Sequence, residues 1–143
     1  EIHGRGRLCE IIKEGALLML IDTDVLIWYM RGNQNAYTFI ETQQGFSVSV
    51  VTYIEIVQGM RNKNELNQLR RAFRQWNTRI FYIDEEISVK AMFLIERYFL
   101  SHSLQLADSL ISSTCLVKGL PLATGNAKHF AMIQHLEIIP FHP

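Results

Sequence analysis

Two rhythms of hydrophobic positions run through this chain. Short unbroken apolar runs, LLMLI at 17–21, FSVSVV at 46–51, IFYI at 80–83, LPLAT at 120–124 and LEIIP at 136–140, have the length and composition of buried strands. Between them, apolar positions recur at helical spacing. The pattern predicts helices over Val25–Met30 (stopped by Arg31-Gly32), Asn35–Thr42, 52–59 (closed by Gly59) and 64–76. The last of these carries Leu66, Leu69, Phe73 and Trp76 on one face. Asp84 is expected to cap a long helix that turns Ile87, Ala91, Leu94, Ile95 and Tyr98 inward. A helix over Leu106–Lys118 is expected to bury Ala107, Leu110, Ile111, Thr114 and Cys115 before Gly119 ends it, and a final helix to span about 126–134. Strands alternating with helices predict an α/β fold with a mostly parallel sheet.

Composition narrows the class without naming a partner. Apolar residues make up 48% and charged residues 20%, a globular balance. Fourteen basic and fourteen acidic side chains cancel, so net charge favours no ligand. Residues 1–16 are expected to be an upstream extension or expression remnant, and 17–143 a single domain. Cys9 and Cys115 stand far apart with no ligand spacing, which argues against a disulfide framework or a thiolate metal site and for a reducing cytoplasm. No apolar run approaches the roughly 20 residues of a membrane span. The opening stretch EIHGRGRLCEIIKEG lacks a signal-peptide layout.

The chemistry lies in where the acids fall. The chain has four aspartates, Asp22, Asp24, Asp84 and Asp108. In a parallel sheet, ligands bind beyond the carboxyl ends of the strands. Asp22 ends the first strand, Glu55 lies in the first turn after the second, Asp108 starts the helix leading into the fourth, and Asn126 follows the fourth. All four residues can therefore share one edge. Carboxylates gathered there repel one another unless protonated or neutralised, and a hard divalent cation, Mg²⁺ or Mn²⁺, neutralises them with oxygen ligands alone. Each residue also has a plain structural account. Thr52-x-x-Glu55 is a capping box, Asp24 and Asn126 are good N-caps, and Asp84 followed by Glu85 and Glu86 makes an acidic first turn. Asp22, a strand-end carboxylate among apolar neighbours, needs a partner in any account.

The phrase LIDTDVLI resembles the nucleophile motif of haloacid-dehalogenase-type phosphatases, in which Asp22 would attack phosphate and Asp24 protonate the leaving group. That resemblance is local. The family needs a late acidic pair, and after Asp108 this chain has a single acid, Glu137. A second resemblance covers nearly everything from Met19 to Pro143. LIDTDVLI, SVSVVTYIEIVQG, LADSLISSTCLVKGLPLATGNAKHF and LEIIPF, in this order and spacing, resemble a PIN-domain ribonuclease of the VapC toxin type. The resemblance implies a three-layer fold with a five-stranded sheet, homodimerisation, and a cognate antitoxin covering the cleft. It also implies a metal-dependent endoribonuclease whose acidic site is Asp22, Glu55 and Asp108, with Asn126 beside it and Thr124 supporting. The family's usual first motif is Asp-Thr-Asn; here it is Asp-Thr-Asp, and Asp24 is expected to serve chiefly as a cap.

An acidic cleft repels RNA, so basic groups must compensate. Between Arg61 and Arg79 six basic residues face one acid, Glu65. Arg70, Arg71 and Arg74 on that helix form either a phosphate-tracking ridge or a solvated face. Trp28 and Tyr29 are expected in the core or a dimer contact. The five histidines show no ligand spacing; His129, one turn from Asn126, is nearest the acids. A PIN-like binding module without catalysis is the non-enzymatic alternative.

Overall fold

The structure is a computed structural model and describes residues 19–43 and 45–143. The expected extension at 1–16, Cys9, and the start of the first apolar run lie outside the described residues. Five strands, β1 (Leu20–Ile21), β2 (Ser47–Ser49), β3 (Arg79–Phe81), β4 (Leu122–Thr124) and β5 (Ile138–Pro140), form one sheet in the order β3-β2-β1-β4-β5. Every pairing is parallel, with Leu20 opposite both Ser47 and Leu122. The first strand is thus central, and its end marks the point where the chain's path across the sheet reverses direction.

The helices are α1 (Thr23–Met30), α2 (Gln34–Thr42), α3 (Val50–Gln58), α4 (Lys63–Gln75), α5 (Glu85–His102) and α6 (Leu106–Lys118). Period-two alternation along the strands divides the core between two faces. Ile21, Val48 and Ala123 point to the face covered by Val25 and Leu26 of α1, Ile40 of α2, and Leu69 and Phe73 of α4. Leu20, Phe81 and Leu122 point to the face covered by Leu94 and Tyr98 of α5 and by Ile111 and Cys115 of α6. Helix, sheet and helix make the three layers. No helix among the described residues is long and apolar enough to cross a membrane.

Three expectations need correction. The helix after β2 begins at Val50, because Ser49 caps it by accepting the Val51 amide at 3.1 Å. Glu55 therefore lies in the second turn, and Thr52-x-x-Glu55 is not a capping box. The expected helix at 126–134 is a 3₁₀ turn, Ala127–His129, followed by further turns. Its buried anchors, Phe130 and Ile133, are three residues apart, and the amide of each later residue returns to the carbonyl three before it. In α6 the buried face is centred on Ser109 and Ser112–Cys115, while Ala107 and Leu110 are half-buried. Serines enter that face because their hydroxyls donate back along the helix, Ser109 to the Leu106 carbonyl and Ser112 to the Asp108 carbonyl, each at 2.6 Å.

Candidate metal and nuclease centre

β1 ends by handing its last carboxylate to α1. Asp22 is 5% exposed and is itself the N-cap of α1; its Oδ1 accepts the Thr23 amide at 2.8 Å. The cap expected of Asp24 is therefore made by Asp22, two residues earlier. Asp22 Oδ2 accepts the Thr124 hydroxyl at 2.8 Å, a bond from the end of β1 to the end of the adjacent β4. Thr124 Oγ1 in turn accepts the Asn126 amide at 3.0 Å. Asp24 Oδ2 accepts the Gly125 amide at 2.9 Å, whereas Asp24 Oδ1 is enclosed and has no hydrogen-bond partner. Both aspartates of the first motif are thus tied to the three residues that leave β4.

Glu55 is reached from the same motif. The Thr23 hydroxyl lies 2.9 Å from Glu55 Oε1 and 3.0 Å from Thr52 Oγ1; with a single proton it donates to the carboxylate and accepts from Thr52. Thr23, the residue between the two aspartates, was not singled out from the sequence. Its signal was its place in the first turn of a helix whose neighbours are both acids. Asp108 stands in the first turn of α6 without capping it, and the exposed His129 ring holds Nδ1 at 3.9 Å from Asp108 Oδ2. Asn126 precedes the 3₁₀ turn, and its side chain makes no capping bond.

Electrostatics bind these groups into one cluster. Burial pushes the Asp22 carboxyl up to about 7; Asp24 adds to the rise and Asp108 adds further, against hydrogen bonds from Thr124 and Thr23. Burial also raises the Asp24 carboxyl, opposed by the Gly125 amide. Asp108 is raised by burial, held down by His129, and raised again by Glu55 and Asp24. Asp22 and Asp108 each feel other carboxylates, which is the condition that a cation relieves. Among the described residues no three acidic, imidazole or thiolate groups converge into a ready-made cage. The donors still fit a hard divalent cation: they are oxygens, mutually repelling, and one of them, Asp24 Oδ1, is enclosed without a donor.

Glu55 also lines a groove of about 600 Å³ between α1, α3 and α4, with Leu26, Tyr29, Leu69 and Trp76 as its apolar part. Arg31 and Arg61 line it as well, Arg61 paired with Glu65 at 2.9 Å. Arg70, Arg71 and Arg74 are exposed on α4 and are not among the lining residues. Tyr29 stacks on Tyr37 and meets Trp76 edge-on, a packing role within this wall. Trp28 is half-buried against the core. Cys115 is a free buried thiol.

Residues 19–135 match the PIN domain family. Ribonuclease VapC10 of Mycobacterium tuberculosis is 33% identical over 126 residues, 84% of this chain and 91% of that protein. Ribonuclease VapC1 of Methanocaldococcus jannaschii is 30% identical over 118 residues, 81% of each chain. A toxin–antitoxin complex from Klebsiella pneumoniae aligns with TM-score 0.67 at 25% identity, over 85% of this chain and 95% of that one. VapBC2 of Rickettsia felis, bound to a promoter DNA fragment, aligns with TM-score 0.72 at 17% identity over 88% and 100%, a likeness of fold. The chain belongs to the PIN-domain family, among its VapC ribonucleases.

Proposed function

We propose that the chain is a divalent-metal-dependent endoribonuclease and the toxin of a toxin–antitoxin pair. The observation that carries this reading is the Asp22–Thr124 bond at the centre of the sheet, within the field of Asp24 and Asp108. Asp22, Glu55 and Asp108 would hold Mg²⁺, with Mn²⁺ as a substitute, and Asn126 stands beside them. A hard cation there supplies neutralising charge to the scissile phosphate and makes water acidic enough to attack near neutral pH. Thr124 holds Asp22 in one orientation, and Thr23 does the same for Glu55. Because Glu55 lines the open groove, it is the carboxylate placed to orient an incoming water and accept its proton. No histidine, serine or cysteine nucleophile is required. The phosphatase alternative lacks the late acidic pair it needs, since Glu137 is the one acid after Asp108.

Arg31 and Arg61 stand in the groove that reaches Glu55, and Arg70, Arg71 and Arg74 extend the basic surface along α4; together they would track phosphates. A solved structure described as a toxin–antitoxin complex supports a cognate antitoxin, which would cover this groove. A homodimer is supported by an exposed apolar face on α5, where Met92 is 58%, Phe93 57% and Leu100 93% exposed. The pair would act in the cytoplasm, where RNA is.

The test is cleavage of a mixed RNA pool by purified protein with Mg²⁺ or Mn²⁺, repeated with chelator and with Asp108→Asn. Internal cuts that need the cation, and that fall by about 100-fold or more in the variant, are the expected result. Cutting by the variant at the wild-type rate would remove the site. Cutting by neither protein would leave a binding module.

A further inference from the structure

Glu55 is exposed on the second turn of α3, where a glutamate side chain ordinarily moves among several rotamers. Two buried hydroxyls hold it instead. Thr23, 8% exposed, puts its Oγ1 2.9 Å from Glu55 Oε1, and Thr52, 0% exposed, puts its own Oγ1 3.0 Å from that of Thr23. Thr52 lies three residues before Glu55, on the same face of α3. The row ends on a carboxylate, which only accepts while ionised, so its protons run one way. Thr52 donates to Thr23, and Thr23 donates to Glu55.

The backbone leaves both hydroxyls free for this. Inside the helices of this chain, hydroxyls donate back to the carbonyl four residues earlier: Thr42 to Thr38, Ser88 to Asp84, Thr114 to Leu110. Thr23 and Thr52 stand in the first turns of α1 and α3, and the residues four before them, Met19 and Val48, precede those helices. Their hydroxyls bond from one helix to the other instead.

We infer that Thr52 is a positioning residue for Glu55. By donating to Thr23 it fixes the direction of the Thr23 proton, so that Glu55 keeps Oε1 bonded and presents Oε2 to the groove. The inference rests on the nuclease reading above, in which Glu55 orients the attacking water, and adds to it a residue that is itself fully buried.

The test is metal-dependent cleavage of a short RNA carrying one of the cut sites found in the mixed pool, with rates taken per folded molecule. Thr52→Val keeps the shape and lacks the hydroxyl; its kcat should fall about tenfold while KM stays within about twofold of wild type. Thr52→Ser keeps the donor and should recover most of that loss. In a Thr23→Val background, Thr52→Val should cost nothing further, because the path to Glu55 is already broken. A wild-type kcat in Thr52→Val, or a loss that persists undiminished in the Thr23→Val background, would overturn the positioning role and leave the nuclease standing. Thr52→Ala, read the same way, replaces the valine variant if that one does not fold. If wild type cuts no RNA, the nuclease reading fails first and the role of Thr52 falls with it.

Discussion

A single strand-end carboxylate accounts for much of the site's behaviour. Asp22 is buried, and its carboxyl lies near 7 in the folded chain against 3.8 ordinarily. Between those values the folded state holds a proton that the unfolded state has lost, so the metal-free protein should lose stability as pH rises from about 4 to about 7. Thermal melts in chelator across this range should show the fall, and Asp22→Asn should flatten it. Gly125 makes a second expectation. Gly125→Ala should cost about 1–3 kcal/mol in denaturant unfolding, since its Cβ meets Asp24. Most of that cost should vanish in an Asp24→Ala background, a coupling that a double-mutant cycle reads directly. These acids were legible in the sequence because charge at the end of an apolar run has few explanations. Thr23 and Gly125 are not, because their partners Glu55 and Asp24 lie 32 and 101 residues away along the chain.

At the scale of elements, helix positions were read well wherever a cap and an apolar stripe agreed. Asp84 caps α5 by accepting the Ile87 amide at 2.9 Å, and of the predicted stripe Ile87, Ala91, Leu94 and Tyr98 are buried while Ile95 is half-buried. Asp84→Ala should therefore cost about 0.5–2 kcal/mol of stability while leaving RNA cleavage per folded molecule unchanged. The start of α3 is ambiguous in sequence because Thr52 and Ser49 are both competent caps, and the end of β2 at Ser49 decides between them. The segment after β4 is ambiguous in sequence for another reason. Phe130 and Ile133 fit the spacing of either a 3₁₀ turn or a helix, and the ties of Gly125 and Asn126 to the site leave no room for a full helical start.

For the molecule as a whole, the alternation of strands and helices carried the fold class, and parallel pairing follows from the crossovers it requires. Strand order did not follow: nothing local places β1 between β2 and β4. Nor was the apolar face of α5 visible as a surface, since Met92, Phe93 and Leu100 alternate with buried positions on the same helix. If that face joins two copies, Leu100→Glu combined with Phe93→Glu should halve the mass seen in sedimentation without changing the helical circular dichroism.

The central place of β1 has a consequence for how such a protein is made. Its site closes only when Thr124 meets Asp22, a contact spanning 102 residues, and β4 is held on its far side by β5, at Ile138–Pro140. A chain still being translated therefore carries its first acids long before it carries a working centre.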